Sequence, residues 1–486
     1  MFKGLNLQDN CEIRGTSQEE LNEVLSDKDA RTEMYVLDPK DVSFAIVDEH
    51  TPVDDTLRIV PPIVNNGYGK QYSRVPIDRY YFNKMETPIQ DEAINSSVFL
   101  METNREGTKQ TPVPVSAEAI KSLQSLLSVG GSGEVVNPTM VEHLAELVRN
   151  EFDKIVLRDG KLETVKDGRS TRERYKRKKN VERLPMMEML GMDPDALNNK
   201  KNNRLTVVLM KDKAEKGIRK VFSFRSGKYT RIQQTAVMEI LRNLDGLTTE
   251  ADEDGKTLPK YEMRDWTVTH FMTEANISFD SVAEQFSTMY NLKEKVIPCF
   301  RINTSDTGNS SLRITKHFLC SLGTEEVYLS LPHTVGEMDY VLSRHYGKTD
   351  IENLVSKLNR DVFGDFKAIP ENLSKIALMG MAETEKVLRI AFNAMQLQTN
   401  GVIINKKLEE RIVSQMAAML PKYESVYDTL YYVLYASENE DIDLTDNQRE
   451  ELRSKALMAT FATAEYEQAA EEAEALKMSA EEEPAI

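Results

Sequence analysis

The sequence is poor in cysteine and has no long apolar run, and each absence excludes a class of protein. The chain of 486 residues contains 3 cysteines, Cys11, Cys299 and Cys320, which are too few and too scattered for a disulfide framework or a four-cysteine zinc site. No stretch approaches the ~18 apolar residues of a membrane helix, and the start MFKGLNLQDNCEIRG lacks the pattern of a signal peptide. These features predict a cytoplasmic protein without a membrane partner.

Recognisable catalytic and cofactor-binding motifs are absent as well. None of the 6 histidines belongs to a His-Glu-x-x-His arrangement, and no Cys-x-x-Cys pair occurs. The chain has no Walker-type phosphate loop, no Gly-x-Gly-x-x-Gly after a strand and no Gly-x-Ser-x-Gly elbow. We therefore predict no catalytic residue, no metal site and no cofactor, with an enzyme of nonstandard site as a third interpretation.

What the sequence does contain is a strong separation of charge. Its 62 Lys and Arg against 79 Asp and Glu give a formal net charge of −17, which argues against a bulk nucleic-acid coat. Yet residues 154–231 carry 23 basic and 10 acidic residues, whereas residues 437–486 carry 15 acidic and 4 basic. Clustered positive charge acts locally even on an acidic chain. The basic stretch therefore indicates either a polyanion partner or an ordinary solvated surface.

The hydrophobic patterns predict an α+β fold in four regions. Residues 1–136 form a mixed region that ends in a glycine-rich joint. Residues 137–334 alternate apolar and aromatic runs with turn residues, which predicts a core domain around a largely antiparallel sheet. Three- and four-residue apolar spacing predicts a helical region over 335–436, and the Glu- and Ala-rich residues 437–486 predict an acidic tail without a core of its own.

Two basic sets carry the densest chemical signal. RSTRERYKRKKN can neutralise several phosphates while its tyrosine stacks on an unpaired base; the alternatives are a solvated linker or a contact with the acidic tail. The second set lies on and after the predicted strand IRKVFSFR and leads into a predicted helix. The candidate nucleic-acid-binding residues are Arg169, Arg172, Arg174, Tyr175, Lys176, Arg177, Lys178, Lys179, Lys220, Arg225, Lys228, Tyr229 and Arg231.

Two other features have simpler structural explanations. The segment SDTGNSS joins two predicted strands, and its Asp306, Gly308 and Asn309 suit a tight turn. Its hydroxyls and amides could bind an anion, but a hairpin loop is the simpler interpretation. Trp266, the single tryptophan, lies in an alternating run, which favours a core position over a stacking platform.

Two stretches of the central region resemble an uncharacterised family of phage and plasmid-borne proteins. FRSGKYTRIQQTAVMEILRNLDGL resembles that family's strand, Gly-x-Tyr and Gln-led helix, and VIPCFRINTSDTGNSSLRI resembles its later strand, Ser-Asp-x-Gly turn and strand. The resemblance covers residues 205–345. Where the family continues into a Cys-x-Asn-Gly-like element, this chain has Cys320-Ser321-Leu322-Gly323. The resemblance implies a phage or mobile-element origin and transfers no enzyme activity.

The charge separation and the resemblance together predict a phage-encoded, homo-oligomeric protein of the host cytoplasm. It would bind single-stranded or distorted nucleic acid as an annealing, recombination or replication accessory factor. The acidic tail would compete with nucleic acid or recruit a protein partner. The alternative is an oligomeric interaction protein, either a virion component or an inhibitor of a host defence complex, that binds no nucleic acid.

Overall fold

The structure is a computed structural model of the full chain. It describes these residues: 4–7, 11–37, 44–47, 58–60, 64–65, 70–71, 75–76, 98–103, 110–126, 205–213, 219–227, 229–292, 295–307, 311–322, 325–331, 340–343, 350–397 and 404–481.

The strands in this part of the chain are short in the N-terminal region and long in the centre. In chain order they are β1 Glu12–Gly15, β2 Thr32–Leu37, β3 Phe44–Val47, β4 Arg58–Val60, β5 Val64–Asn65, β6 Lys70–Gln71, β7 Val75–Pro76, β8 Val98–Thr103, β9 Gln110–Pro114, β10 Leu205–Lys211, β11 Arg219–Ser226, β12 Glu262–Thr269, β13 Thr273–Ser278, β14 Lys295–Thr304, β15 Leu312–Leu322, β16 Glu325–Ser330, β17 Tyr340–Ser343, β18 Met381–Glu383 and β19 Tyr423–Ser425.

Among the residues that the structure describes, most helices follow the last long strand. They are α1 Gln18–Arg31, α2 Ala117–Leu126, α3 Ala236–Leu247, α4 Asp280–Tyr290, α5 Ile351–Ser356, α6 Val362–Phe366, α7 Ala368–Ala377, α8 Thr384–Met395, α9 Lys406–Met419, α10 Val426–Leu434, α11 Asp446–Lys455 and α12 Thr463–Glu481, with a 3₁₀ turn at Ala456–Phe461. The expected change to helices beyond the central sheet is confirmed. None of the helices described is long and apolar enough to cross a membrane.

The main sheet is antiparallel, as expected. Its strand order is β1-β12-β13-β14-β15-β16, with β17 also paired to β15. A second antiparallel sheet has the order β11-β10-β2, and a third, β7-β4-β3-β8-β9, is built within the N-terminal region. Because β1 and β2 pair with β12 and β10, the N-terminal region supplies edge strands to both central sheets. The α+β class predicted from the sequence is therefore shown.

Local pattern accounts for the elements on which the candidate site is built. The alternating runs around the predicted loop form the β10–β11 hairpin, with Leu205 opposite Ser226. In the segment after β11, apolar residues recur every three or four positions. This spacing places Val237, Ile240, Leu241 and Leu244 in the core along one face of α3. Trp266 is buried and donates its indole N–H to the Ser17 carbonyl at 2.8 Å, which confirms its predicted core position.

The segment after residue 436 contributes side chains to the core. Ile442, Leu452, Leu457 and Tyr466 are buried, and they belong to one continuous apolar cluster with the central sheet. The sequence predicted a segment without a core of its own; the described residues of the segment bury their apolar side chains in the core of the rest of the chain. On α12 the small side chains at buried positions, Ala469 among them, let the helix pack closely while its glutamates face outward.

Candidate functional site

The structure describes four of the predicted nucleic-acid-binding residues: Lys220, Arg225, Tyr229 and Arg231. The remaining nine, Lys228 and the whole set between residues 169 and 179, lie outside the described residues. Arg225, Tyr229 and Arg231 bond to one turn beside the main sheet, residues 305–307, whereas Lys220 is buried next to Phe222.

Lys220 lies on the inner face of β11. Alternation along the strand puts it on the same face as Phe222, and its side chain is almost completely buried, with Nζ 5.9 Å from the centroid of the Phe222 ring. A lysine in this position packs its methylene chain among apolar neighbours. The ammonium group is therefore withdrawn from the solvent-exposed surface.

Tyr229 connects the end of β11 to the turn after β14. Its ring is buried, and its hydroxyl donates a hydrogen bond to the Asp306 carbonyl at 2.6 Å. Burial, followed by the nearby Asp306 carboxylate, raises the pKa of this phenol, so it stays neutral and keeps donating. The tyrosine therefore links the end of β11 to the turn at Asp306, and its ring is buried.

Arg231 and Arg225 bind the same turn. Arg231 Nε donates to Asp306 Oδ1 at 3.0 Å, and another of its guanidinium nitrogens pairs with the Asp29 carboxylate. Arg225 donates to the Thr307 carbonyl, which also accepts the Ser223 hydroxyl at 2.9 Å. Two segments far apart in the sequence are thus in direct contact, since 75 residues separate Arg231 from Asp306.

Lys28 of α1 is a member of the site that the motifs did not indicate. Its side chain is 1% exposed, and its Nζ donates to the Thr269 carbonyl at 2.8 Å and to Gln234 Oε1 at 3.3 Å, with Asp306 Oδ2 at 3.7 Å. Burial lowers the pKa of this lysine, while Asp306 acts in the opposite direction. The burial of Lys28 could have been inferred from the sequence. It lies at helical spacing from Leu21 and Leu25, on the apolar face of α1.

The Asp29 carboxylate caps the N-terminus of α3. Its carboxylate accepts the backbone N–H groups of Gln234 and Thr235, both at 2.9 Å, and the Thr235 hydroxyl at 2.8 Å. Free amides at a helix start are a common binding site for phosphate. Here the chain's own carboxylate occupies them, so this helix start offers no open site for a nucleic-acid phosphate.

We call Lys28, Asp29, Tyr229, Arg231 and Asp306 the Asp306 network. It contains two cations and two carboxylates at close range, so it is electrically balanced and does not present a net positive surface. Its chemistry is that of a buried clamp between α1, the approach to α3 and the β14–β15 turn. Charges buried in this way require their partners, since removing one member leaves the others uncompensated.

Some polar atoms around the clamp lack a hydrogen-bond partner among the described residues. They are Gln234 Nε2 and Thr304 Oγ1. Buried polar atoms in this condition destabilise a fold by about 1–3 kcal/mol each. The clamp therefore lies next to polar groups whose burial opposes folding.

The opposite face of the main sheet carries a second polar set. Asn276 Nδ2 donates to Asp265 Oδ1 at 2.7 Å, and Arg301 Nε donates to Asn276 Oδ1 at 3.0 Å. The Tyr328 hydroxyl also donates to Asp265, and the Arg301 guanidinium lies 5.2 Å from the centroid of the Tyr328 ring. Because these groups bond and stack on one another, the Tyr328 ring is engaged within the chain.

Two of the three cysteines, Cys299 and Cys320, are buried, as is His317. Burial raises the pKa of Cys299 to about 12 and raises that of Cys320 further, which keeps both thiols protonated. Burial, and next the Arg301 charge, holds the pKa of His317 well below its usual value. No group of three metal-ligating side chains occurs among the residues described.

No protein-family model, curated protein or solved structure matches this chain.

Proposed function

We propose that this chain is a phage-encoded protein that binds single-stranded or distorted nucleic acid through residues 169–179, as an annealing or replication accessory factor in the host cytoplasm. The observation that carries the proposal is the concentration of charge in that segment. Seven Lys and Arg residues and one tyrosine stand there beside a single acid, Glu173. Each phosphate neutralised by such a cluster releases counterions and contributes sequence-independent affinity.

The described residues of the second basic set are engaged within the chain, which supports assigning nucleic-acid affinity to the first set, residues 169–179. Lys220 is buried and Arg231 pairs with two carboxylates, so neither is an exposed cation ready to meet a phosphate. In the described residues the clamp instead holds the fold together. Affinity for a polyanion therefore falls on the segment 169–179.

The connectivity makes the segment suitable for a clean test. Helix α2 packs on β11, where the Phe224 amide donates to the Ser122 hydroxyl at 2.9 Å. Strand β10, which follows residue 204, pairs with the same β11. The described elements on either side of residues 127–204 thus contact the same strand, and circular dichroism of each variant checks that substitutions within 169–179 leave the fold intact.

The decisive experiment is a salt series of fluorescence anisotropy titrations with labelled single-stranded DNA and RNA. Replacing Arg177, Lys178 and Lys179 by Ala should weaken binding and reduce the slope of log K against log salt by about 2, at about 0.7 per phosphate contact. The matched control replaces three exposed lysines elsewhere, Lys357, Lys406 and Lys407. The control should leave the slope unchanged.

Two results would overturn the proposal. One is absence of binding at low salt, where electrostatic attraction is strongest. The other is an equal change in slope for the triple variant and its control, which would assign the effect to net charge alone. A ratio of absorbance at 260 and 280 nm typical of protein alone would favour the alternative, an oligomeric interaction protein without nucleic acid.

A further inference from the structure

The residues that follow α7 and the outer face of α12 enclose a groove of about 710 Å³. Its floor includes Leu378, Gly380 and Met381. Leu378 is 87% exposed and Met381 is half-exposed, although both are large apolar residues. An exposed apolar cluster inside a concavity marks a surface on which another group packs.

The wall of the groove is acidic. Glu467, Glu471 and Glu474 of α12 line it and are exposed. Their spacing of four and three residues puts them on one side of the helix, over a length of ~10 Å at 1.5 Å per residue. None of the three forms an ion pair with a side chain in the described part of the chain, whereas the adjacent Glu472 pairs with Lys386.

The lysines of the groove do not cancel this charge. Lys375 pairs with Glu371 at 2.9 Å, outside the acidic row. Lys477 lies beside the floor, with Nζ 3.7 Å from Met381 Sδ. The three carboxylates thus line the groove together with two lysines, of which Lys375 is already paired with Glu371.

We propose that this groove binds a basic amphipathic helix of a partner protein. An apolar side chain of the partner would cover Leu378 and Met381, while Lys or Arg residues one helical turn apart would pair with the three glutamates. Complementarity of charge selects a basic partner over an acidic one, and the apolar floor selects an amphipathic segment over a merely basic one. The proposal is independent of nucleic-acid binding, since the groove contains none of the residues assigned to that function.

The probe is a fluorescein-labelled synthetic helix with Leu at three- and four-residue spacing and Lys on both flanks of that face. A matched peptide carries Glu in place of every Lys. Anisotropy should rise with the Lys peptide and stay flat with the Glu peptide. Raising the salt concentration should weaken the Lys peptide, because exposed ion pairs are screened.

Three variants assign the binding to the groove. Leu378→Asp should lower the affinity about tenfold or more, because it removes the apolar side chain that the bound partner would cover. Gly380→Tyr should block the groove, and the substitution is tolerated at the backbone, since a Cβ added at Gly380 meets no atom within 4 Å. Joint replacement of Glu467, Glu471 and Glu474 by Lys should abolish binding of the Lys peptide and create binding of the Glu peptide.

Controls of equal size lie elsewhere on the surface. Met289→Asp changes an exposed methionine on α4, and joint replacement of Glu253, Glu352 and Glu410 by Lys changes exposed acids outside the groove. Both should bind like the unmodified protein. Far-ultraviolet circular dichroism confirms that each variant is folded before its affinity is compared.

Three outcomes overturn the proposal. The first is absence of Lys-peptide binding, and the second is equal loss in groove and control variants. The third is a change in molecular mass by analytical ultracentrifugation on Leu378→Asp or Gly380→Tyr, which would make the groove a contact between copies of this chain. Because no nucleic acid is present, these outcomes are separate from failure of the proposed function.

Discussion

The Asp306 network and the outer face of α12 are both rich in charge, yet they use it in opposite ways. In the network, Lys28 and Asp306 are each 1% exposed and pair within the chain. On α12, Glu467 and its neighbours in the groove are exposed and form no ion pair with the described residues. The basic motif residues that the structure describes are thus engaged inside the chain, while the acidic helix packs with its small apolar side and keeps its charge in water. A cluster of charged residues in a sequence does not by itself show whether their side chains are buried or exposed.

The largest expected effect is the loss of stability when the segment that contains α12 is removed. Deleting residues 437–486 should abolish cooperative unfolding, because it removes Ile442, Leu452, Leu457 and Tyr466 from the core. Losing each such side chain costs about 2–5 kcal/mol, and a whole fold is stable by only about 5–15 kcal/mol. Thermal unfolding followed by circular dichroism gives the measurement.

The control keeps the helix and removes only its outward charge. Replacing Glu467, Glu471 and Glu474 by Gln should leave the melting temperature close to that of the unmodified protein. A truncated chain that melts at the original temperature would show that the segment is the dispensable tail that its composition suggests.

The next effect tests the buried charges. Asp306→Ala should destabilise the fold by about 3–5 kcal/mol, because it leaves Lys28 buried without its ion-pair partner and removes one partner of Arg231. Urea unfolding measures the change in free energy. Glu385→Ala, which breaks an exposed pair with Arg389 one turn away, should cost less than about 1 kcal/mol. Equal costs for the two variants would contradict a buried clamp.

A smaller effect separates the two interpretations of Tyr229. Tyr229→Phe removes the hydroxyl that donates to Asp306 and should lower the free energy of unfolding by about 0.5–1.5 kcal/mol. Affinity for single-stranded DNA should not change, since the ring is buried. The opposite pattern, with weaker binding and unchanged unfolding, would restore the tyrosine as a base-stacking residue.

The smallest effect concerns His317. Its pKa is held low in the folded protein by burial, so below its usual value of about 6.5 the unfolded chain binds more protons than the folded one. The free energy of unfolding should therefore fall as pH is lowered from about 6.5. His317→Gln should remove this part of the pH dependence, as measured by urea unfolding at pH 7 and pH 5. An unchanged pH dependence would contradict a neutral, buried histidine.

Local pattern was enough to predict the elements around the site. The alternation of IRKVFSFR predicted β11, and the apolar period of the next run predicted α3, because both signals depend on neighbours within a few residues. Helix α4 was not predicted, since its apolar residues Val282, Ala283 and Phe286 cover only a short stretch. The groove beside α12 was not predicted either, because it is formed by segments about 90 residues apart.

The sequence by itself determined the α+β class, the separation of basic and acidic stretches and the residues that make phosphate binding chemically possible. Only the tertiary structure decided that Arg231 and Asp306 meet, that Lys28 joins them and that Tyr466 lies in the core. The physical reason is the range of the interactions. Backbone preference and side-chain period act over a few residues, whereas burial and ion pairing depend on which distant segments share the same space.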